Sequence, residues 1–506
     1  LGAAVSLILS QQEAEAEIGS GATIQTTGDV QVQARTDTRD VRNHADSQAT
    51  ASPKGTTGGG TAVSAAAAIG FFDNDARAIV DRGATVTAAR VGVSAEARQP
   101  YNPDAEFQFN TWNGFQTLHT NYLEAQQGVD NVQDAFLTSY ARSGTRANTV
   151  GLSGAVSVFQ PDNRATAWVA DDASITASDA VAKNGFTGDM PALGDGLSEA
   201  RGVIDLTKER QVTWADSIGV QATVETGGVH VTGNFKTLTG FGQSGSGTAS
   251  FGGAFGWAGH TSEAVAGIGG DASVTGPSVK VDTDSTDEAY TVTPNASRGS
   301  SIAVTGMTAL TTVDALSSAT IDDSVDVTTG SLDVEASQTL TGWTVAGAVT
   351  LGKAAGVGVG LALNDVTTET EARIGNNAQR RPTAVAKPES TAGVGLIQAE
   401  DGALDLKVDA ETEGQLGALA VAGAAATGKD SSSTTSQQTN RKQKVQNRGS
   451  QTTSQGQSAW QTETSGASTG TSGGNTGGSN SASSTSDGTT GGANAGSGGG
   501  GTAQRG

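Results

Sequence analysis

The sequence predicts an all-β chain, a parallel β-helix (β-solenoid) built from repeats of about 53 residues, and three observations lead there. One pattern recurs along the chain: "AEAEIGSGATIQTTGDVQVQA" from Ala14, "RAIVDRGATVTAARVGVSAEA" from Arg77, "AVAGIGGDASVTGPSVKVDT" from Ala264 and "SATIDDSVDVTTGSLDVEA" from Ser318. Within each copy, apolar and polar residues alternate with a period of two, the mark of strands with one buried and one wet face. The composition is that of a narrow core: 71 of 506 residues are glycine, 35% are hydrophobic and 4% aromatic. Such a chain lacks the large side chains that fill a compact enzyme core, whereas a solenoid uses small residues inside and glycine at its corners.

The copies align on the apolar residues Ile18, Val80, Val169, Ile268, Ile321 and Ile374, spaced by 62, 89, 99, 53 and 53 residues. Six residues after each anchor comes a second apolar residue, Ile24, Val86, Ile175, Val274 and Val327. A V-x-V pair follows, Val30/Val32, Val91/Val93, Val279/Val281 or Leu332/Val334, across a turn such as "TTGD", "TAAR" or "TGPS". "ATVETGGVHV" from Ala222 has the same form and completes the copy interrupted after Ile175. Short strands joined by tight corners are expected to divide each 53-residue unit into three rungs of roughly 18 residues. About 330 residues outside the inserts then make roughly 18 rungs, on the order of 85 Å of right-handed solenoid. Inward positions are expected to be Val, Ile, Ala and Leu, and outward ones Thr, Asp, Glu, Gln and Arg. "AVSAAAAIG" and "GALAVAGAAATG" have helical propensity, but they stand where other copies carry the β-branched "AGVGVGLAL". A transmembrane β-barrel would need aromatic girdles, which the repeats lack. An array of small β-sandwiches stays open.

The longer spacings locate inserts at about 101–146, 179–210 and 379–396, with "SPKGTTGGG" lengthening the first gap. The repeats fill 1–429. From 430 to 506 the chain is rich in Ser, Thr, Gly and Gln, and Val445 and Trp460 are its large apolar residues. It cannot bury enough surface to offset its ordering entropy, so a disordered linker or tail is expected. Residues 1–429 carry 49 acids against 25 bases, and the whole chain has a net charge of −22. This acidic body excludes nucleic acid and anionic membrane as partners. No run of 18 apolar residues exists for a membrane-spanning helix. There is no cysteine, hence no disulfide and no thiolate metal site. The chain starts at Leu1 inside a repeat, without Met or a signal peptide, and is expected to be a fragment or a processed product.

Chemistry-bearing motifs are scarce. Of 22 aromatic residues, eight lie between Tyr101 and Tyr140. The apolar spacing Phe115, Leu118, Tyr122, then Val129, Val132, Phe136, Tyr140 is helical and predicts a small helical insert. These aromatics either pack the insert onto the solenoid wall or offer flat faces to a sugar or a protein. On the second reading the binding residues are Phe109, Trp112, Phe115, Tyr122 and Tyr140. "VDTDSTDEAY" gathers Asp282, Asp284, Asp287 and Glu288, but it lacks the EF-hand donor and glycine spacing, and a solvated acidic face is expected. His44, His119, His230 and His260 have no paired-ligand spacing. Gly466-Ala-Ser468-Thr-Gly470 matches a nucleophile elbow without the strand–turn–helix that one needs. Asn295-Ala-Ser297 is a glycosylation sequon by pattern. No catalytic residue, metal site or cofactor is expected.

Two of these stretches, "AGVGVGLALNDVTTETEARIGNNA" (355–378) and "RAIVDRGATVTAARVGVSAEA", resemble the passenger repeats of very large bacterial filamentous adhesins, of the leukotoxin-like filamentous adhesin and autotransporter-passenger type. The resemblance covers about 1–429 apart from the inserts. It implies a secreted, non-enzymatic rod at the bacterial cell surface. Its partners would be a glycan or protein of a host or neighbouring cell, or like molecules. A carbohydrate-binding or polysaccharide-cleaving β-helix and a self-associating extracellular matrix or sheath protein remain alternatives.

Overall fold

A computed structural model of the chain describes residues 1–38, 41, 43–51, 60–99, 138–178, 216–233, 248–375, 395–399 and 403–426. The chain separates into two units, Leu1–Lys429 and Asp430–Gly506, and the described residues all belong to the first. The tail, the body of each of the three long inserts and four of the five aromatic binding candidates lie outside the described residues.

Every described element is a strand, and every pairing is parallel. The first sheet contains β1 (Gly2–Ile18), β5 (Thr61–Val80), β9 (Val150–Val169), β12 (Ala249–Ile268), β15 (Ile302–Ile321) and β18 (Ala355–Ile374), bonded in that order. A short second sheet contains β2 (Thr23–Gln25), β6 (Thr85–Ala88), β10 (Ser174–Ala177), β13 (Ser273–Thr275), β16 (Asp326–Thr329) and β19 (Ile397–Ala399). The third contains β3 (Val30–Asp37), β7 (Val91–Gln99), β11 (Ile218–Gly233), β14 (Ser278–Gly299), β17 (Ser331–Gly352) and β20 (Asp405–Ala426). The same eight-stranded sheet also holds β4 (Asn43–Thr50) and β8 (Ser139–Arg146), β8 pairing with both β11 and β4. Each coil contributes one strand to each sheet, so the chain winds as a parallel β-helix.

The six anchor residues form one row, Ile18 on Val80, Val169, Ile268, Ile321 and Ile374 in turn. Ile24, Val86, Ile175, Val274 and Val327 form a second row in the short sheet. Three residues past the anchor, Gly21, Gly83, Asp172 and Asp271 all take the left-handed conformation, with φ between 57 and 67°. That corner suits glycine and the short polar side chain of aspartate.

The expected rung size is corrected. One repeat makes one coil rather than three, because its three strands belong to three different sheets: Ile302 pairs with Ala355 and Ser278 with Ser331, each 53 residues on. Strands of the first and third sheets run to 20 and 22 residues. "AVSAAAAIG" is the first half of an uninterrupted strand, with no turn chemistry to break it. Six coils at ~4.8 Å span about 25 Å along the axis, whereas a 20-residue strand spans about 65 Å across it. The 85 Å rod is therefore not what the described residues build. A second correction concerns the third coil. Its V-x-V equivalent is Ile218/Val220, which pairs with Val91/Val93 and Val279/Val281. "ETGG" is continuous strand there, not a turn.

The coil has two unlike halves. Where the short sheet joins the other two, a triangular core holds Val80, Val86, Val93, Ile175, Ile268 and Val327, all buried. Beyond it the first and third sheets face each other directly and lie very close. A Cβ at Gly358 would stand 3.1 Å from the carbonyl oxygen of Gly423, and one at Gly356 would stand 3.2 Å from that of Ala425. Ordinary sheets are about 10 Å apart; most inward positions here are glycine, alanine, serine or threonine, and a wider chamber holds Phe72, Phe159, His230 and His260. The expected inward and outward composition is thus partly inverted in this half. Ala303, Thr305, Ala309 and Thr311 point inward on β15, together with Met307 and Val313, while Ile302, Val304 and Leu310 point outward. Close approach of the sheets explains the small-residue composition, and it displaces the large apolar side chains to the outside.

Candidate functional site

One long interruption, placed at both ends, leaves from the middle of a strand. β7 pairs with β11 as far as Gln99 on Thr226, and β8 resumes the same pairing at Ser139 on His230. Residues 100–138 therefore fill a gap that Gly227, Gly228 and Val229 bridge in the next coil. The return is pinned by backbone bonds, Thr138 N–H to Val229 O at 3.0 Å and Asn43 N–H to Thr138 O at 2.9 Å. The Val229 N–H also donates to Thr138 Oγ1 at 3.2 Å. On the exit side Arg98 donates to Glu225 at 2.5 Å and pairs with Glu96 at 3.2 Å. The insert thus stands on a rigid base, which is where inserts on scaffolds carry recognition.

Beneath this base the interior is polar. Asn74 Nδ2 donates to Asn163 Oδ1 at 2.6 Å, and Asn163 Nδ2 donates to Thr226 Oγ1 at 2.6 Å. Thr226 and Ser262 hydroxyls are 2.8 Å apart, and Ser262 donates to Asp287 Oδ1 at 2.6 Å. Beside this relay Phe159 stacks on His230 at 4.4 Å and meets Phe72 at 5.1 Å. The His230 and His260 rings cross edge-on at 6.0 Å, and His260 Nδ1 is 3.9 Å from Asp287 Oδ1. Burial holds both imidazoles below their ordinary range, His260 at about 4, and His230 is lowered further by His260. Burial raises the Asp287 carboxyl to about 7, against the opposing hydrogen bond from Ser262. All three groups are sealed from solvent, so no substrate reaches them. Below about pH 7, where the Asp287 carboxyl holds its proton, and above the range in which the imidazoles charge, they fill the interior as neutral polar side chains.

The sequence spacing did not pair His230 with His260; the facing of β11 in the third sheet and β12 in the first brings them together. Strand parity was the available signal for Asp287. Asp282, Asp284 and Glu288 share the outer face, and Asp287 alternates inward. The acidic cluster is therefore split between two faces, and no group of three candidate ligands that could hold a metal occurs among the described residues. On the outer face Glu335 is bonded by Lys280 at 2.7 Å and by Lys407, and these hydrogen bonds keep its carboxyl below the ordinary value.

Tyr140 is the one aromatic binding candidate among the described residues, and its expected setting is corrected. Residues 139–146 are strand β8, not helix, because their alternating side chains pair with β4 and β11. Tyr140 lies on the outer face of the third sheet, 7% exposed, clustered with Val229, Val231 and Tyr290 and edge-on to His44 at 5.7 Å. Phe109, Trp112, Phe115 and Tyr122 lie outside the described residues, as does the expected helical segment around them. No described helix is long and apolar enough to cross a membrane.

Fold and site together define a class, a parallel β-helix with an insert seated in one sheet. Comparisons with protein-family models, curated proteins and solved structures return no match.

Proposed function

We propose that the chain is a non-catalytic scaffold segment of a secreted bacterial cell-surface adhesin, in which a β-helix of 53-residue coils displays a small helical lobe at 100–138 for contact with a glycan or protein of another cell. The supporting observation is the mid-strand seat of that lobe: 39 residues replace three without shifting the register on either side. A corner loop would tolerate any length; holding an insertion inside a sheet requires the pinned base formed by Arg98, Gln99, Thr138 and Val229. The acidic surface keeps such an object soluble. The sealed His230–His260–Asp287 group supports the non-catalytic reading, since its titratable side chains have no access to substrate.

The test replaces 100–138 with the tripeptide Gly-Gly-Val, the bridge used in the next coil. Far-UV dichroism and the urea midpoint should stay near wild type, while binding to immobilised glycans or to cells falls about tenfold or more. Trp112→Ala should reproduce part of that loss. Binding that survives both changes would sink the proposal, as would turnover of any polysaccharide by the wild-type chain.

A further inference from the structure

We infer that the outward face of the first sheet, in the half where the two long sheets lie close, is a contact surface for a second copy of this chain. Strand register builds the surface row by row. One row is Val63, Leu152, Phe251, Val304 and Val357, and another is Ala67, Val156, Phe255, Thr308 and Leu361. A further row, from Ile69 to Leu363 through Trp257, is apolar throughout. The side chains are open to solvent: Phe251 is 40% exposed, Phe255 37%, Val156 38% and Leu361 54%.

Between the first two rows runs a line of small residues, Ala65, Gly154, Gly253 and Gly306, closed at β18 by Val359. A Cβ at Gly154, Gly253 or Gly306 would meet nothing within 4 Å. No backbone angle or neighbour in the described residues therefore requires glycine at these three positions. Glycine in a strand weakens it, and it commonly marks a place where another backbone approaches closely. The glycines form a groove flanked by ridges that carry Phe251 and Phe255. Across a two-fold axis the ridge of one copy enters the groove of the other, so the surface is self-complementary.

Six strands ~4.8 Å apart and four outward rows ~7 Å apart give roughly 700 Å². That is near the ~800 Å² per partner of a stable interface, and larger than most patches left bare on monomers. A sugar fits this surface poorly. The Trp257 indole N–H already donates to Thr312 at 3.0 Å, and the rows hold few other polar groups to orient hydroxyls. Asp73, Asp162 and Glu263 border the patch and disfavour an anionic membrane. This inference does not depend on the adhesin reading.

The experiment is sedimentation velocity of the full 506-residue chain, with Gly253→Leu and Phe255→Glu as variants and urea midpoints as the folding control. Expected is a concentration-dependent dimer between about 1 and 100 μM, weakened about tenfold or more by either substitution at an unchanged midpoint. If Gly253→Leu lowers the midpoint, Phe255→Glu alone decides. A monomer at 100 μM overturns the inference, and so does a dimer indifferent to Phe255→Glu. Monomeric binding to phosphatidylcholine vesicles that Phe255→Glu abolishes would assign the face to lipid, and would overturn it too.

Discussion

Phe159→Ala is expected to destabilise the β-helix by about 3–5 kcal/mol, the range for emptying a fully buried aromatic site. Phe159 has no exposed surface, and it stacks on His230 at 4.4 Å, beside Phe72 and His260. The surrounding walls are two long sheets tied by ladder hydrogen bonds, so they cannot collapse to refill the space. Both imidazoles would also lose the ring that shields them, and each carries buried nitrogens without a hydrogen-bond partner. Urea unfolding at pH 7 measures the effect. Phe159→Leu should recover more than half of the loss, and an Ala variant within about 1 kcal/mol of wild type would show that the chamber does not depend on this ring.

Asp287→Asn is expected to stabilise the protein at pH 8 and to do so less as the pH falls. The folded carboxyl titrates at about 7 against an ordinary value of 3.8, because burial disfavours its charge. The unfolded chain releases this proton from pH 3.8 upward while the folded state retains it. Burial of Asp287 is thus without penalty at low pH, and the penalty grows until pH 7 and then levels off. That penalty is on the order of 4 kcal/mol at pH 8. Asparagine removes it and retains an oxygen for the Ser262 hydroxyl now 2.6 Å away; seating the added amide leaves a net gain of about 2–4 kcal/mol. His260, lowered to about 4, works in the other direction. Its contribution is complete above pH 6.5 and is lost as the pH falls toward 4, and His230 adds to that acid limb. Urea midpoints at pH 5 and pH 8 check the sign: the gain should shrink by more than half at pH 5, and an equal gain at both would contradict the raised carboxyl.

The apolar anchor rows were readable to the residue. The anchors Ile18, Val80, Val169, Ile268, Ile321 and Ile374 fall in one row because a single inward position at a corner must stack on its own copy in the next coil. The size of the coil was not readable. A 20-residue strand and three short ones show the same period-two alternation, and nothing local in "TAVSAAAAIGFFDNDARAIV" says where it bends. The third coil misled for the opposite reason, since "ETGG" has turn composition yet runs straight through β11. Tyr140 carried helical spacing by coincidence with residues upstream, and its partners in β4 and β11 override it.

The amino-acid order alone dictates period-two strands, the apolar anchor rows and the places where the repeat is interrupted. These are short-range properties: side-chain period and the length between like residues. Tertiary packing alone decides which face of a strand is inside. At the end closed by the short sheet the large apolar residues go inward. Where two sheets approach to within a Cβ of contact, as at Gly358 and Gly423, they turn outward. The same packing brings His230, His260 and Asp287 into one sealed chamber and aligns Gly154, Gly253 and Gly306 into a groove. Such neighbours lie about 30 to 100 residues apart in the chain, and no local pattern encodes the distance between two sheets.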